Sequence, residues 1–173
     1  LSHQWGAPSR IEVHISARVY VTEEVESVKA SIGNFFVLDS LTYAEPAEFE
    51  DFGVLRGEGR GAASLARLRE AIRVQRTLDA ARSYMLKGLG PGVIEFMMNK
   101  QAAHAGWAVL CSNDDESPLG AIYVRTHTDN EQHLLDWIAT PTLEGVPLDM
   151  LDKGYVKRKA VRRRDESKTS DPF

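Results

Sequence analysis

The chain predicts an α+β fold in two layers, a mostly antiparallel sheet with helices packed on one face. Three observations carry this expectation. Residues Ile11 to Val21 alternate between apolar and polar side chains without a break, the period of a half-buried strand. The elements follow in the order β-α-β-β-α-β-β-β-α, without the strict strand–helix alternation of a parallel sheet. The chain has 173 residues, 43% of them hydrophobic, enough for one well-buried core and too few for two generous ones. Helices confined to one face leave the other open to solvent or to a partner.

Residues 1–10 read as irregular. The first strand then sets Ile11, Val13, Ile15, Ala17, Val19 and Val21 on one face, against Glu12, His14, Ser16, Arg18 and Tyr20. Thr22 can cap the next helix, with Glu23 and Glu24 complementing its dipole. Val25, Val28, Ile32 and Phe35 give that helix its spacing, and Gly33-Asn34 its end. A second strand is expected around Phe36–Tyr43 and a third around Phe52–Arg56, with Pro46 and the acids Glu48, Glu50 and Asp51 between them. Gly57-Glu58-Gly59-Arg60-Gly61 reads as a glycine-rich turn into a helix over Ala62–Lys87, about 39 Å long if unbroken. Ala71, Val74, Leu78, Ala81 and Met85 cluster on one side of it, opposite Arg69, Arg73, Arg76 and Lys87. Leu65 and Ile72 fall near the basic arc, which leaves open a break or a start buried on more than one face. Gly88-Leu89-Gly90-Pro91-Gly92 stops the helix. Strands follow around Val93–Met98, Trp107–Cys111 and Ala121–His127. A last helix spans Asp129 to Ala139, with Thr128 or Asp129 as its cap. Residues 1–152 therefore read as a single α+β domain, and residues 153–173 as a flexible basic tail or a polar helix extension.

Composition narrows the setting. No apolar run approaches the roughly 20 residues that span a bilayer, so no membrane association is expected. Cys111 is the sole cysteine, which excludes an intrachain disulfide and suits a reducing cytoplasm. The net charge of -4 hides a division: residues 153–173 carry eight Lys or Arg against three Asp or Glu. A basic tail on an acidic body fits a polyanion partner for the tail, a tail folded back on its own body, or a merely solvated one.

Few residues are arranged for chemistry. Gly57-Glu58-Gly59-Arg60-Gly61-Ala62 formally matches the dinucleotide fingerprint. However, Glu58 puts a carboxylate where a pyrophosphate would sit, and Asp79 lies inside the helix instead of ending a second strand. A tight turn needing positive φ is the plainer reading, and it still allows one backbone phosphate to meet the helix start beside Arg60. The arginine stripe reads either as a solvated face paired with Glu70 and Asp79 or as a polyanion grip. Asn99-Lys100-Gln101 offers a positive head and two amides suited to sugar–phosphate and base-edge contacts, or a polar connection with Asn99 as a cap. Neither His127, Asp129 and His133 nor Asp114, Asp115 and Glu116 has a recognised metal-ligand spacing. No G-x-S-x-G elbow occurs. Cys111, Trp107 and Trp137 read as core, and Phe96 fits either face of its strand.

From Ile11 to about Pro147 the chain resembles archaeal uncharacterised protein family 0201. The matching stretches are Ile11-Glu12-Val13-His14-Ile15-Ser16-Ala17, Gly57-Glu58-Gly59-Arg60 and Gln75-Arg76-Thr77-Leu78-Asp79-Ala80-Ala81-Arg82. They continue with Asn99-Lys100-Gln101-Ala102-Ala103, Pro118-Leu119-Gly120 and the Asp136-Trp137 helix. The resemblance implies an α+β fold like that of the ribosomal protein that binds 5S RNA, a homodimer, and RNA as the ligand. It singles out Glu58, Arg60, Arg76, Asp79, Arg82, Asn99, Lys100 and Gln101 as motif positions. The basic tail after Lys153 and the acidic body depart from the family pattern.

These readings converge on a cytoplasmic, non-catalytic RNA-binding protein, acting as a homodimer near the ribosome or RNA processing, with no cofactor and no metal. Arg60, Arg69, Arg73, Arg76, Arg82 and Lys100 are expected to meet phosphates, and Asn99 and Gln101 to contact sugar or base edges. Lys157, Arg158, Lys159, Arg162, Arg163 and Arg164 add sequence-independent attraction. Two alternatives stand beside this one. In a protein–protein adaptor or dimeric scaffold, Arg76, Asp79 and Arg82 form a buried ion network that holds a dimer or the helix packing, and the solvent-facing sheet docks a partner. In an enzyme on a phosphorylated small molecule, Glu58 or Asp79 acts with Arg60 and Lys100.

Overall fold

The structure is a computed structural model and describes residues 5–151. In chain order it contains β1 (Ile11–Tyr20), α1 (Val25–Gly33), β2 (Ser40–Ala44) and β3 (Phe52–Arg60), then a 3-10 turn at Ala62–Ser64. Next come α2 (Ala66–Val74), α3 (Leu78–Lys87), β4 (Leu89–Gly90), β5 (Val93–Met98), α4 (Lys100–His104) and β6 (Leu110–Cys111). β7 (Ile122–Thr128), α5 (Glu131–Ile138), the β8 (Thr142–Leu143)–β9 (Val146–Pro147) hairpin and the turn α6 (Leu148–Met150) complete it. The tail residues singled out above, Lys157 to Arg164, lie outside the described residues.

Seven strands form one sheet in the order β2-β3-β1-β7-β5-β4, with β6 on the remaining part of the β5 edge. Every pairing is antiparallel. The fold is therefore α+β with helices against a mostly antiparallel sheet, as the element order implied. β1 shows why. Ile11, Val13, Ile15, Ala17 and Val19 are each 3% exposed or less, and they join Val28, Ile32, Leu68, Ile72, Leu78, Met85, Leu134 and Ile138 of the helices in one core. Burying this apolar row is the main force that holds sheet and helices together. The alternate residues of β1 point away from that core.

β3 is longer than the apolar pattern suggested. Gly57, Glu58, Gly59 and Arg60 lie in the strand, paired with Ile15, His14, Val13 and Glu12, and only Gly61 forms the turn, at φ 76°. The glycines answer a packing need. A Cβ on Gly57 would sit 2.5 Å from Leu38 Cδ1, and one on Gly59 3.1 Å from the Val37 carbonyl oxygen. The segment after α1 thus crosses directly over the inner face of β3, and for this reason β2 begins only at Ser40.

The long helix is broken. The chain leaves α2 at Gln75, passes through Arg76 at φ 58° and restarts at Leu78. In an unbroken helix Leu65 and Ile72 would face away from Leu78 and Met85. The break lets both sets reach one core, and all four are buried. Val74, expected on the apolar side, is instead 69% exposed. The Gln75 amide secures the turn by donating to the Gly106 carbonyl and accepting from the Ala108 N–H, both at 2.9 Å. Those bonds pin a loop that presents Trp107 outward, 59% exposed, where a core position was expected. Phe96 and Trp137 are buried. α5 is capped by Asn130, whose side chain accepts from the His133 N–H, one residue later than expected.

Candidate functional site

The outward row of β1 organises the uncovered face of the sheet. The strand registers align Ser40, Glu58, His14, Arg125 and Glu95 in one rung across β2, β3, β1, β7 and β5. The next rung is Thr42, Arg56, Ser16, Tyr123 and Met97. From β3 to β5 the members of both rungs line an open groove of about 620 Å³. Its far wall is the last turn of α3, with Tyr84 and Lys87. Gly88 lies so close to the β5 backbone that a Cβ there would fall 1.8 Å from the Glu95 carbonyl oxygen. That approach draws the end of α3 down to the edge of the open face.

Charges on the face are mixed. Arg125 pairs with Glu95, and His14 Nδ1 lies 3.7 Å from a Glu58 carboxylate oxygen, with its ring edge-on to His127. Arg56 and Arg60 are exposed, and neither guanidinium has a hydrogen bond or ion pair among the described residues. Tyr123 is held in place: its hydroxyl donates to Asp114 Oδ1 at 2.7 Å. Asp114 also accepts from the Ala121 N–H and pairs with Arg18. Burial by itself would raise the Asp114 pKa, but those three donors and the Arg18 charge outweigh it and hold the carboxyl below its usual 3.8. Burial and the Asp114 charge push the Tyr123 hydroxyl above its usual 10, so it remains a donor.

The helix arginines face inward at their tips. Arg69 donates to the Trp137 carbonyl and pairs with Asp149; Arg73 pairs with the same carboxylate and donates to the Thr140 hydroxyl. Arg82 donates to the Ala139 carbonyl and pairs with Asp136 at 2.7 Å. These guanidiniums tie α2 and α3 to α5 and to the segment after it. Asp79 accepts from the Thr142 hydroxyl, apart from Arg76, which is exposed and whose guanidinium has no hydrogen bond or ion pair among the described residues. The expected Arg76–Asp79–Arg82 network is therefore not assembled.

Lys100 is buried. Its side chain is 2% exposed, and its three protons go to Glu23 at 2.8 Å, the Arg18 carbonyl at 2.8 Å and the Leu119 carbonyl at 2.6 Å. Burial outweighs the Glu23 attraction and lowers its pKa. Asn99 caps α4, accepting from the Ala102 N–H and donating to the Glu116 carbonyl. Gln101 is exposed. The motif residues are thus spread over four places: Glu58 and Arg60 on the open face, Arg76 at the helix break, Asp79 and Arg82 along α3, and Asn99 to Gln101 around the α4 start. Arg56, Tyr84, Tyr123 and Arg125 were not singled out from the sequence, although the period of two in β3 and β7 marks the outward positions of Arg56, Tyr123 and Arg125; Tyr84, on α3, carries no such signal.

Burial, with Glu116 and Asp114 nearby, pushes the Cys111 thiol up to about 11, so it stays protonated and inert. His133 Nε2 lies 2.8 Å from the Gly6 carbonyl oxygen. Among the described residues no group of three or more His, Cys, Asp or Glu is placed to hold a metal ion. No described helix is long and apolar enough to cross a membrane.

Comparison with known proteins places this sheet in a family. Residues 12–128, from β1 to the end of β7, match a family model described as RNA binding. A UPF0201 protein of Aeropyrum pernix is 36% identical over 144 residues, 83% of this chain and 94% of the relative. A UPF0201 protein of Saccharolobus islandicus is 38% identical over 138 residues, 80% of this chain and 93% of the relative. The crystal structure of the UPF0201 protein from Methanococcus jannaschii aligns with a TM-score of 0.69 at 33% identity, over 79% of this chain and 98% of that one. Matched over most of its own length and nearly all of theirs, with the whole groove-bearing part of the sheet inside the match, the chain belongs to the UPF0201 family.

Proposed function

We propose that this is a non-catalytic RNA-binding protein whose contact surface is the open face of the sheet. The match of residues 12–128 to the RNA-binding family model carries the reading. The geometry supports it. The helices cover one face and leave the other uncovered, and the Arg56 and Arg60 guanidiniums stand there without partners among the described residues. Arg69, Arg73, Arg82 and Lys100 are each held in an ion pair within the chain, so the phosphate contacts fall to Arg56 and Arg60, with Arg76 as a separate contact at the helix break. Asn99 is engaged as a cap, while Gln101 remains free to meet sugar or base edges. The tail cations Lys157, Arg158, Lys159, Arg162, Arg163 and Arg164 add long-range attraction. Ribosome or RNA-processing work in the cytoplasm, and self-association as a homodimer, complete the proposal.

The test is a titration of the full chain with total cellular RNA across a salt series, beside a variant with those six tail cations replaced by Gln. Binding by both, with log affinity falling linearly against log salt, supports a phosphate site on the folded domain. Binding only by the unmodified chain confines RNA contact to the tail and returns the sheet face to the adaptor reading. Sedimentation across a concentration series tests the dimer.

A further inference from the structure

We propose that the groove on the open face holds an unstacked nucleotide of single-stranded RNA, with the Tyr123 ring as its stacking platform and Arg56 and Lys87 as phosphate contacts. This rests on the RNA-binding reading and names the form of RNA that the face selects.

The groove has the size and floor that such a ligand needs. Its volume of about 620 Å³ lies within the roughly 300–1,000 Å³ of small-ligand sites. It crosses β3, β1, β7 and β5, a span of about 14 Å at the usual strand spacing. Tyr123, Met97 and Tyr84 give it an aromatic and apolar lining. Such a surface gains little from a duplex, whose bases are stacked inside. It suits a splayed base, which stacks on aromatic side chains.

The platform is built in advance. Tyr123 is 40% exposed, yet its hydroxyl is tied to Asp114, which Arg18 and the Ala121 N–H hold in turn. A ring already fixed in place loses little freedom when a base stacks on it.

The charges set the path of the strand. Arg125 is neutralised by Glu95, and Glu58 occupies the same rung. The centre of the face therefore offers no net attraction for a phosphate. Cations without a carboxylate partner among the described residues stand at the two ends: Arg56 on β3, and Lys87 beyond β5, which reaches the Ser112 hydroxyl and the Tyr84 ring. A strand crossing the groove would place its phosphates at the ends and its base in the middle.

The experiment titrates the full chain with a mixed-sequence ten-nucleotide single-stranded RNA, the matching duplex, and the four nucleoside 5′-monophosphates, by fluorescence anisotropy or calorimetry. The variants are Tyr123→Ala, Arg56→Ala and Lys87→Ala, each checked by thermal melting. The expected result is preference for the single strand. Tyr123→Ala should weaken single-strand affinity roughly tenfold or more and leave duplex affinity alone. Arg56→Ala and Lys87→Ala should each lower the slope of log affinity against log salt by about one. Should Tyr123→Ala fail to fold, the two exposed cation variants still decide the matter through their salt slopes. Equal binding of both RNA forms, with unchanged slopes, overturns the groove assignment and leaves the RNA-binding reading standing. Binding of neither form by the wild-type chain overturns both. Monophosphates that bind as tightly as the oligonucleotide make the groove a free-nucleotide site and overturn the strand assignment.

Discussion

The Lys100 ammonium donates to the Glu23 carboxylate at 2.8 Å with the Lys100 side chain 2% exposed and that of Glu23 12% exposed. The pair joins the start of α4 to the connection between β1 and α1. Breaking such a pair from one side leaves an uncompensated charge in the interior. Lys100→Met should therefore cost about 3–5 kcal/mol, read as a lowered urea midpoint with an unchanged m-value. Adding Glu23→Gln should cost less than the sum of the two single changes. A full-strength midpoint in Lys100→Met would show that the ammonium is not needed for the fold and would restore it as a candidate for RNA contact.

A second expectation concerns acid. The Asp114 carboxyl is held below its usual 3.8 because three donors and the Arg18 charge outweigh the effect of burial. A carboxylate with a depressed folded pKa contributes stability that is fully present above the unfolded value and is lost as pH falls through the folded one. The wild-type melting temperature should thus drop with a component that sets in below 3.8. Asp114→Asn should lack that component while starting from a lower stability at neutral pH. Parallel melting curves for the two proteins below that pH would refute the network as drawn.

The helix arginines lend themselves to a separation of stability from binding. Arg73 and Asp149 have side chains 14% and 8% exposed and meet at 2.8 Å, and Arg69 reaches the same carboxylate. Asp149→Ala should cost about 3–5 kcal/mol by leaving both guanidiniums unpaired. The pair Arg69→Ala with Arg73→Ala should lower the urea midpoint while the folded protein keeps its affinity for RNA. Full stability with lost affinity would instead return these arginines to the RNA surface.

What could be read in advance follows from how far each cause reaches along the chain. The alternation in β1 needs only its own residues and was legible. So was the α+β order of the elements. The glycines of β3 were legible as glycines, but not as a strand, because what forbids a Cβ at Gly57 and Gly59 is Leu38, Val37 and Ser64 packed above them. The break at Arg76 depends on the Gln75 bonds to Gly106 and Ala108, more than 30 residues ahead. The arginine stripe looked solvated because Asp149 lies 76 residues beyond Arg73. The open face was expected as a consequence of one-sided helices. Its occupants, Arg56, Tyr123 and Arg125, became a site only when the register put them on neighbouring rungs.

Gly88 gives the sharpest test of how the groove is built. A Cβ at this position would stand 1.8 Å from the Glu95 carbonyl oxygen and 2.8 Å from its carbon. Both are backbone atoms of β5, so no side-chain rotation relieves the clash. Glu95 also donates its N–H to the Gly88 carbonyl at 2.9 Å, so separating the two segments would break that bond as well. Overpacking in a well-packed site typically costs about 1–3 kcal/mol and occasionally more. Gly88→Ala belongs at or above the top of that range. Gly57→Ala clashes with the flexible end of Leu38, presses more lightly on Leu41 and meets the Ser40 carbonyl oxygen at 3.4 Å, an ordinary contact, so it should cost less. The comparison is made by urea unfolding of both variants. Gly88→Ala should also move Tyr84 and Lys87 away from the open face, weakening RNA binding in whatever fraction remains folded. Equal midpoints for Gly88→Ala and the wild type would mean that the end of α3 is not drawn onto β5, and the groove would lose its far wall.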